Sequence, residues 1–260
     1  MTAPRRDFVD TGKRQHHDVA LANVAIWEKK PLLRHVYRQF YRLIERNLVR
    51  DSGGRTIELG SGIGKIREVI PDCWCTDLFP FPWLDAVENV YDLSFGDGEV
   101  SNIIMFDTFE HFRHPGSALA ECHRVLRPGG RVLIFEPYIS LLGWVVYGIF
   151  HDEPVAMKDP IVWTAPPDFG LEKDGYYTAL SNAMRVFHRR EFPLPGWDTR
   201  KIIRLSAISY VLCGGYGKPS FYPESLLKAM QSLDAVCDLI PSLAATRMLA
   251  VLAKRSGAPC

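Results

Sequence analysis

An excess of charge of either sign is what this 260-residue chain lacks: 31 Lys and Arg stand against 30 Asp and Glu, for a formal net charge of +1. The basic residues are spread along the chain, so no electrostatic footprint for DNA or RNA is present and no nucleic-acid partner is expected. Cysteine is sparse and unpatterned. Of the six, Cys73 and Cys75 lie two apart on one predicted strand, a spacing that makes neither a zinc site nor a disulfide framework. Buried, reduced thiols are the reading, no metal site is expected, and the expected compartment is the cytoplasm. Arg5, Arg6, Lys13 and Arg14 make the N-terminus basic, but no long apolar run follows them, so no secretory signal is expected. Residues 139–150 form an apolar run that is too short to span a bilayer at about 1.5 Å per residue. It reads as a buried helix, or more sharply as an apolar wall or membrane-touching surface. There is no internal repeat and no low-complexity tract. What remains is an ordinary globular composition, 47% hydrophobic and 23% charged, enough for one large domain or a domain with an elaborate cap.

Against this plain background one segment stands out. An apolar run, Thr56 to Leu59, leads into glycines at alternate positions, Gly60, Gly62 and Gly64. Glycine adopts φ > 0 without strain and has no Cβ, so a buried strand can turn sharply into a helix and leave room for a ligand against the backbone. The N–H groups of that helix point at the same spot. A dinucleotide turn reads G-x-G-x-x-G; here Lys65 occupies the place of the third glycine. Glu58, two residues before Gly60, would repel a pyrophosphate and suits a cationic ligand such as a sulfonium or ammonium.

Residues 73–78 read as a second strand ending in Asp77, whose carboxylate can accept from both hydroxyls of a ribose held on the first turn. Residues 89–94 read as a short third strand containing Asp92 and Leu93. Residues 100–107 are a buried strand, 115–126 have helical spacing, Arg127 to Gly130 is a break, and 131–137 is the next strand. Near-continuous apolar strands alternating with helices mean a parallel sheet covered on both faces.

The glycine turn, with Glu110-His111 after the fourth strand, Arg124 to Gly130 before the fifth, and Glu136-Pro137 ending it, resembles the class I S-adenosylmethionine-dependent methyltransferases, type 11 domain. Segments at 136–140, 151–155 and 212–216 resemble a poorly characterised bacterial subset of that family. The resemblance implies a Rossmann-like α/β sheet of seven strands, the last antiparallel beside the fifth. It implies S-adenosylmethionine held by Glu58, Gly60, Ser61, Gly62, Asp77, Leu78, Asp92, Leu93 and Phe106, with Asp92 accepting from the adenine amino group. N-terminal helices of this family lie over the cofactor mouth; here they also read as a cover for one sheet face.

The ends read as additions to this core. Residues 1–51 form an N-terminal helical extension, frayed over 1–16, with helices at 19–29 and from Pro31 onward; the methyltransferase domain covers 52–260. Residues 151–200, rich in proline and aromatic residues, are a cap insertion holding a helix at 176–187. A strand at 201–210, an amphipathic helix at 223–239 and a closing strand at 246–253 follow. The expected activity is methyl transfer to a small acceptor, apolar or lipid-linked ones included, with O-methylation favoured and the oligomeric state left open. A hydroxyl acceptor needs a base, and His151 is the first candidate, His111 the second. Glu136, Tyr138 and Trp163 are candidates for the acceptor site. Two alternatives stay open: a cofactor-binding subunit without catalysis, and a nicotinamide-dependent oxidoreductase, against which Lys65 argues.

Overall fold

Seven strands, β1 (Arg55–Leu59), β2 (Trp74–Asp77), β3 (Ala86–Val87), β4 (Val100–Phe106), β5 (Leu126–Pro137), β6 (Trp197–Leu205) and β7 (Arg247–Lys254), build one sheet in the order β3-β2-β1-β4-β5-β7-β6. This computed structural model describes residues 5–50, 53–151, 153–170 and 177–256, with the backbone alone over 5–16. The first five strands pair in parallel and β7 runs antiparallel to both β5 and β6, as expected. The parallel strands therefore end on one edge. Leu59 pairs with Thr76 on one side and Met105 on the other, and Met105 pairs with Ile134. That common edge, where the strand order reverses, is where a ligand site forms in such sheets.

Every residue of β4 is buried, as the middle of a sheet covered on both faces requires. One face carries α3 (Pro115–Val125) and the cap; its core includes Ile103, Met105, Ile134, Phe109 and Phe187. The other carries α2 (Pro31–Glu45), with Ile104, Phe106, Leu133 and Phe135 beneath it. Leu32, Leu33, Val36, Tyr37, Phe40, Tyr41 and Ile44 are the buried stripe of α2. At roughly 1.5–3 kcal/mol for each large apolar side chain, this stripe is a major part of what holds the extension to the sheet.

Several expectations need correction. The first glycine turn opens onto a four-residue 3-10 helix, Lys65–Glu68, instead of a full helix. Pro71 lies close behind, and only eight residues separate Gly64 from Cys73. The third strand is Ala86–Val87, before the predicted 89–94. There the Asn89 side chain accepts from the Tyr91 N–H at 3.0 Å and makes a turn. The Arg127–Gly130 break lies inside β5, whose pairing jumps from Leu126 to Arg131 as a bulge. The first helix is longer than expected, with α1 running Arg5–Lys29, and residues 1–4 of the predicted frayed end lie outside the described residues. The cap ends where β6 begins at Trp197, and the strand predicted at 201–210 gives way to α5 (Ile208–Cys213). Of the helix predicted at 176–187, Tyr176 lies outside the described residues; a turn at Leu180 and Ser181 leads through helical Asn182 and Ala183 into a π-helix, Met184–His188.

The apolar run 139–150 does form a helix, α4 (Leu141–Ile149), but it is not a buried one: Leu141, Trp144, Val145 and Ile149 are exposed. The predicted helix 223–239 is a 3-10 turn, Glu224–Leu226, followed by α6 (Leu227–Cys237). It turns its polar side inward, where Asp234 accepts from the Ser209 N–H at 3.1 Å and Asp238 accepts from the Ser206 N–H at 2.6 Å. Among the described residues no helix is long and apolar enough to cross a membrane.

Candidate cofactor and acceptor site

The first turn is built for close approach. Gly60, Gly62 and Gly64 all have positive φ, at 70°, 52° and 63°. At Gly60 a Cβ would stand 2.6 Å from the Thr108 side chain, so glycine is needed for packing. At Gly62 a Cβ would meet nothing within 4 Å; glycine there keeps space open rather than filling it. Asp77 closes the turn. Its Oδ2 accepts from the Gly62 N–H at 2.9 Å and its Oδ1 from the Phe79 N–H at 3.1 Å. Each carboxylate oxygen keeps a further lone pair for a ligand hydroxyl. The Trp83 indole donates to the Gly62 carbonyl at 2.9 Å and stacks on Phe81.

Glu58 is buried with its Oε2 unpartnered, and burial raises its pKa well above the carboxylate range. An uncompensated carboxylate in such a place calls for a cation. Thr76 and Ser61 donate to the Glu58 carbonyl at 2.8 and 3.2 Å, tying β2 and the turn to β1. Asp92 and Leu78 are exposed beside this edge, while Leu93 is buried with its N–H on Glu121 at 2.8 Å. A buried carboxyl with an unpartnered oxygen, an open Gly62 and an acidic end to β2 together fit S-adenosylmethionine. Phe106 does not join them. Its ring stacks between Tyr37 and Phe135, with centroids 5.3 and 4.7 Å away, in the core under α2. Within the extension α2 covers a sheet face, while α1 (Arg5–Lys29) lies against the segment behind the turn, where Lys65 meets Glu28 at 3.3 Å, the Trp27 indole donates to Glu68 at 3.0 Å and His17 stacks on Phe81.

The ends of β4 and β5 form the neighbouring part of the edge. Asp107 has φ 51°, an uncommon conformation for a residue with a side chain. The Arg247 guanidinium holds it through both carboxylate oxygens, with Nη2 at 2.6 Å from Oδ2. Glu136 is fully buried, and its Oε1 accepts from the N–H groups of Thr108 and Phe109 at 2.8 and 2.7 Å. Burial and the Asp107 charge raise its pKa to about 8. Burial, then the Glu136 charge, raise Glu110 as well. A carboxyl that is protonated more readily folded than unfolded stabilises the fold at low pH and loses that contribution as pH rises from the ordinary 4.5 toward 8. Glu136→Gln should therefore flatten the fall in stability over that window. The check is urea denaturation at pH 5 and pH 8.5 in the presence of a chelator; an equal decline in both proteins would contradict the assignment.

The cap docks on the segment that follows β4. Ala179 N–H donates to the Glu110 carbonyl at 2.9 Å, Gly116 N–H to the Trp163 carbonyl at 2.9 Å, and Phe187 packs on Phe109. The His111 Nδ1 lies 3.2 Å from the Tyr177 carbonyl and its Nε2 3.7 Å from Glu110. A carbonyl only accepts, so Nδ1 carries the proton and the basic lone pair is on Nε2. His151 has the opposite arrangement. It is exposed, and its Nδ1 accepts from the Glu153 N–H at 3.2 Å, so its basic nitrogen is already engaged by backbone. Tyr138 is buried and takes a hydrogen bond from Arg204 at 3.3 Å. Trp163 stacks on Phe192 at 4.6 Å with its indole against Gly116, and so anchors the cap to α3. Sequence reasoning missed Arg247 and Asp107; a buried arginine on an apolar strand was the signal that could have found them.

A family model described as a methyltransferase domain matches residues 57–134. No curated protein matches the chain. Among solved structures, the methyltransferase complex with the Haloferax volcanii Trm112 activator is similar, with a TM-score of 0.52 at 14% identity over 97% of this chain and 98% of that one. At this identity the likeness is one of fold. YcgJ from Bacillus subtilis has a TM-score of 0.44 at 16% identity, covering 84% of this chain and 98% of its own. The [4+2]-cyclase SpnF has 0.47 at 12%, covering 85% and 81%. The matched segment holds the glycine turn, Asp77, Asp107 and Glu110 within the expected sheet, and residues 57–134 thus carry a methyltransferase domain on the class I, Rossmann-like fold.

Proposed function

We propose that the protein moves a methyl group from S-adenosylmethionine to a hydroxyl of a small, partly apolar acceptor held between the cap and the ends of β4 and β5. The observation that supports this reading is the docking of the cap on the 107–117 segment, where the Ala179 N–H donates to the Glu110 carbonyl and His111 meets the Tyr177 carbonyl, while Thr108 of the same segment lies against Gly60 of the turn. Bound on that turn, the cofactor supplies a methyl group already activated by its sulfonium. The protein's contribution is then alignment, with Gly60, Ser61, Gly62, Asp77, Asp92, Leu78 and Leu93 fixing one partner and the cap fixing the other. His111 is the base in this reading because its basic Nε2 sits by Glu110, whereas the basic nitrogen of His151 is taken by backbone. Glu136 and Tyr138 line the acceptor side. The exposed apolar face of α4 suits an acceptor with an apolar or lipid-linked part.

The experiment is a screen of hydroxylated metabolites with cofactor carrying a labelled methyl group, followed by identification of the methylated atom. A label found only on nitrogen or carbon would replace the O-methylation reading. Once an acceptor is in hand, His111→Ala should lower kcat by about 10²–10⁴, with cofactor affinity nearly unchanged, and His151→Ala should do neither. If the two variants exchange these results, the base is His151. Asp77→Ala removes a charged acceptor from the ligand and from the Gly62 N–H together. Cofactor affinity should fall at least tenfold, since bonds to a charged group are each worth roughly 1.5–3 kcal/mol. Unchanged affinity by calorimetry would take Asp77 out of the site.

A further inference from the structure

One oxygen from each of Asp107, Glu110 and Glu136 lies within 4.8 Å of the others. Clustered carboxylates alone mean little; here two further facts matter. Glu110 and Glu136 are both more than nine-tenths buried, and each has an Oε2 with no hydrogen-bond partner. Both second oxygens belong to the cluster's own residues, and buried polar atoms without partners are uncommon in native proteins. The charge is also incomplete. Among the described residues, the titratable and charged groups that act on the cluster are Arg247 from β7, Tyr147 from α4, Tyr210 from α5, Tyr37 and Tyr41 from α2, Tyr216, His111 and Glu153 of the cap. Arg247 offsets one of the three carboxylates. Two remain, which is the charge of one divalent cation.

We propose that Asp107, Glu110 and Glu136 form a divalent-cation site of the Mg²⁺ or Mn²⁺ class at the acceptor end of the sheet. An all-oxygen carboxylate set selects hard cations. Three protein ligands leave about half of an octahedral shell for water or for oxygens of the acceptor. The way in is past Asp107, which is partly exposed while the two glutamates are not. Thr108 links the site to the cofactor turn, since its hydroxyl donates to the Leu59 carbonyl at 3.2 Å and its side chain lies against Gly60. An ion there would sit beside the methyl acceptor and favour one bearing two neighbouring oxygens, such as a vicinal diol or a hydroxy acid. That last consequence rests on the methyl-transfer reading. The ion site itself does not.

The test is a Mn²⁺ titration of the full chain at pH 8, without cofactor, followed by the electron paramagnetic resonance of free Mn²⁺ and repeated with Mg²⁺ as competitor. Wild type should bind one Mn²⁺ with a dissociation constant below about 1 mM. Glu110→Gln and Glu136→Gln keep the shape of the side chain and remove a ligand charge, so each should bind at least tenfold more weakly. Each variant's thermal transition and S-adenosylhomocysteine affinity show whether it is folded. If either is misfolded, Glu110→Asp, which keeps the charge and shortens the reach, takes its place and should also weaken binding. Absence of Mn²⁺ binding by wild type at 1 mM, or wild-type binding by folded variants, would overturn the site. Failure of the acceptor screen with Mn²⁺ binding intact would leave the ion site standing and count against the methyl-transfer reading alone.

Discussion

Arg247→Met should destabilise the protein by about 3 kcal/mol, the lower end of what breaking a buried ion pair costs. Arg247 is 2% exposed and grips both oxygens of Asp107. Its guanidinium also lies over the rings of Tyr210, Phe135 and Phe106, at 4.9, 5.3 and 5.7 Å. Methionine can replace the stem and much of this ring contact, so the loss isolates the charge. What remains is a cluster of three carboxyl groups with no cation, and Asp107 held at a positive φ without its clamp. Asp107 is partly solvated, which is why the lower figure is expected. Urea denaturation of Arg247→Met, Asp107→Asn and the double variant measures the pair directly. Additive losses, or a single loss under 1 kcal/mol, would mean that the pair contributes little to holding the two strand ends together.

Gly62→Val should abolish detectable cofactor binding and leave most of the fold intact. A side chain at Gly60 would strike Thr108 and disturb the packing of β1 on the β4 end. A side chain at Gly62 points into open space, so what it displaces is ligand. The φ of 52° does add strain, about 1–2 kcal/mol for a residue with a Cβ and more for a β-branched one. The expected pattern is a modest fall in the thermal midpoint together with loss of S-adenosylhomocysteine binding. A folded Gly62→Val protein that binds as wild type does would place the cofactor elsewhere.

Much of the sheet was legible because its strands are short apolar runs with strong punctuation. Val100 to Phe106 is apolar but for Ser101 and Asn102 and closes against Asp107, and the Gly60 turn marks a boundary that periodicity alone would blur, whereas the Arg127–Gly130 segment is a bulge inside β5 and no boundary at all. Local competition was harder to read. The Asn89 side chain captures the Tyr91 N–H and turns a β-like stretch into a loop. α4 looked buried because its composition is apolar, yet burial depends on whether anything packs against it, which no local pattern encodes. α6 looked conventionally amphipathic, but Asp234 and Asp238 serve the start of α5 and so face inward. The acidic cluster was out of reach for a different reason. Asp107 and Glu110 are neighbours in sequence, but Glu136 and Arg247 arrive from other strands through the parallel and antiparallel pairings of β5. The choice between His111 and His151 likewise depends on which ring nitrogen the backbone takes, which only coordinates give.

Calorimetric titration of the full chain with S-adenosylhomocysteine, and in parallel with NAD, asks which cofactor the glycine turn holds. One site for S-adenosylhomocysteine with micromolar affinity, about −8 kcal/mol, is expected, with no comparable heat from NAD. Tighter binding of NAD than of S-adenosylhomocysteine, or no binding of S-adenosylhomocysteine at all, would contradict that expectation.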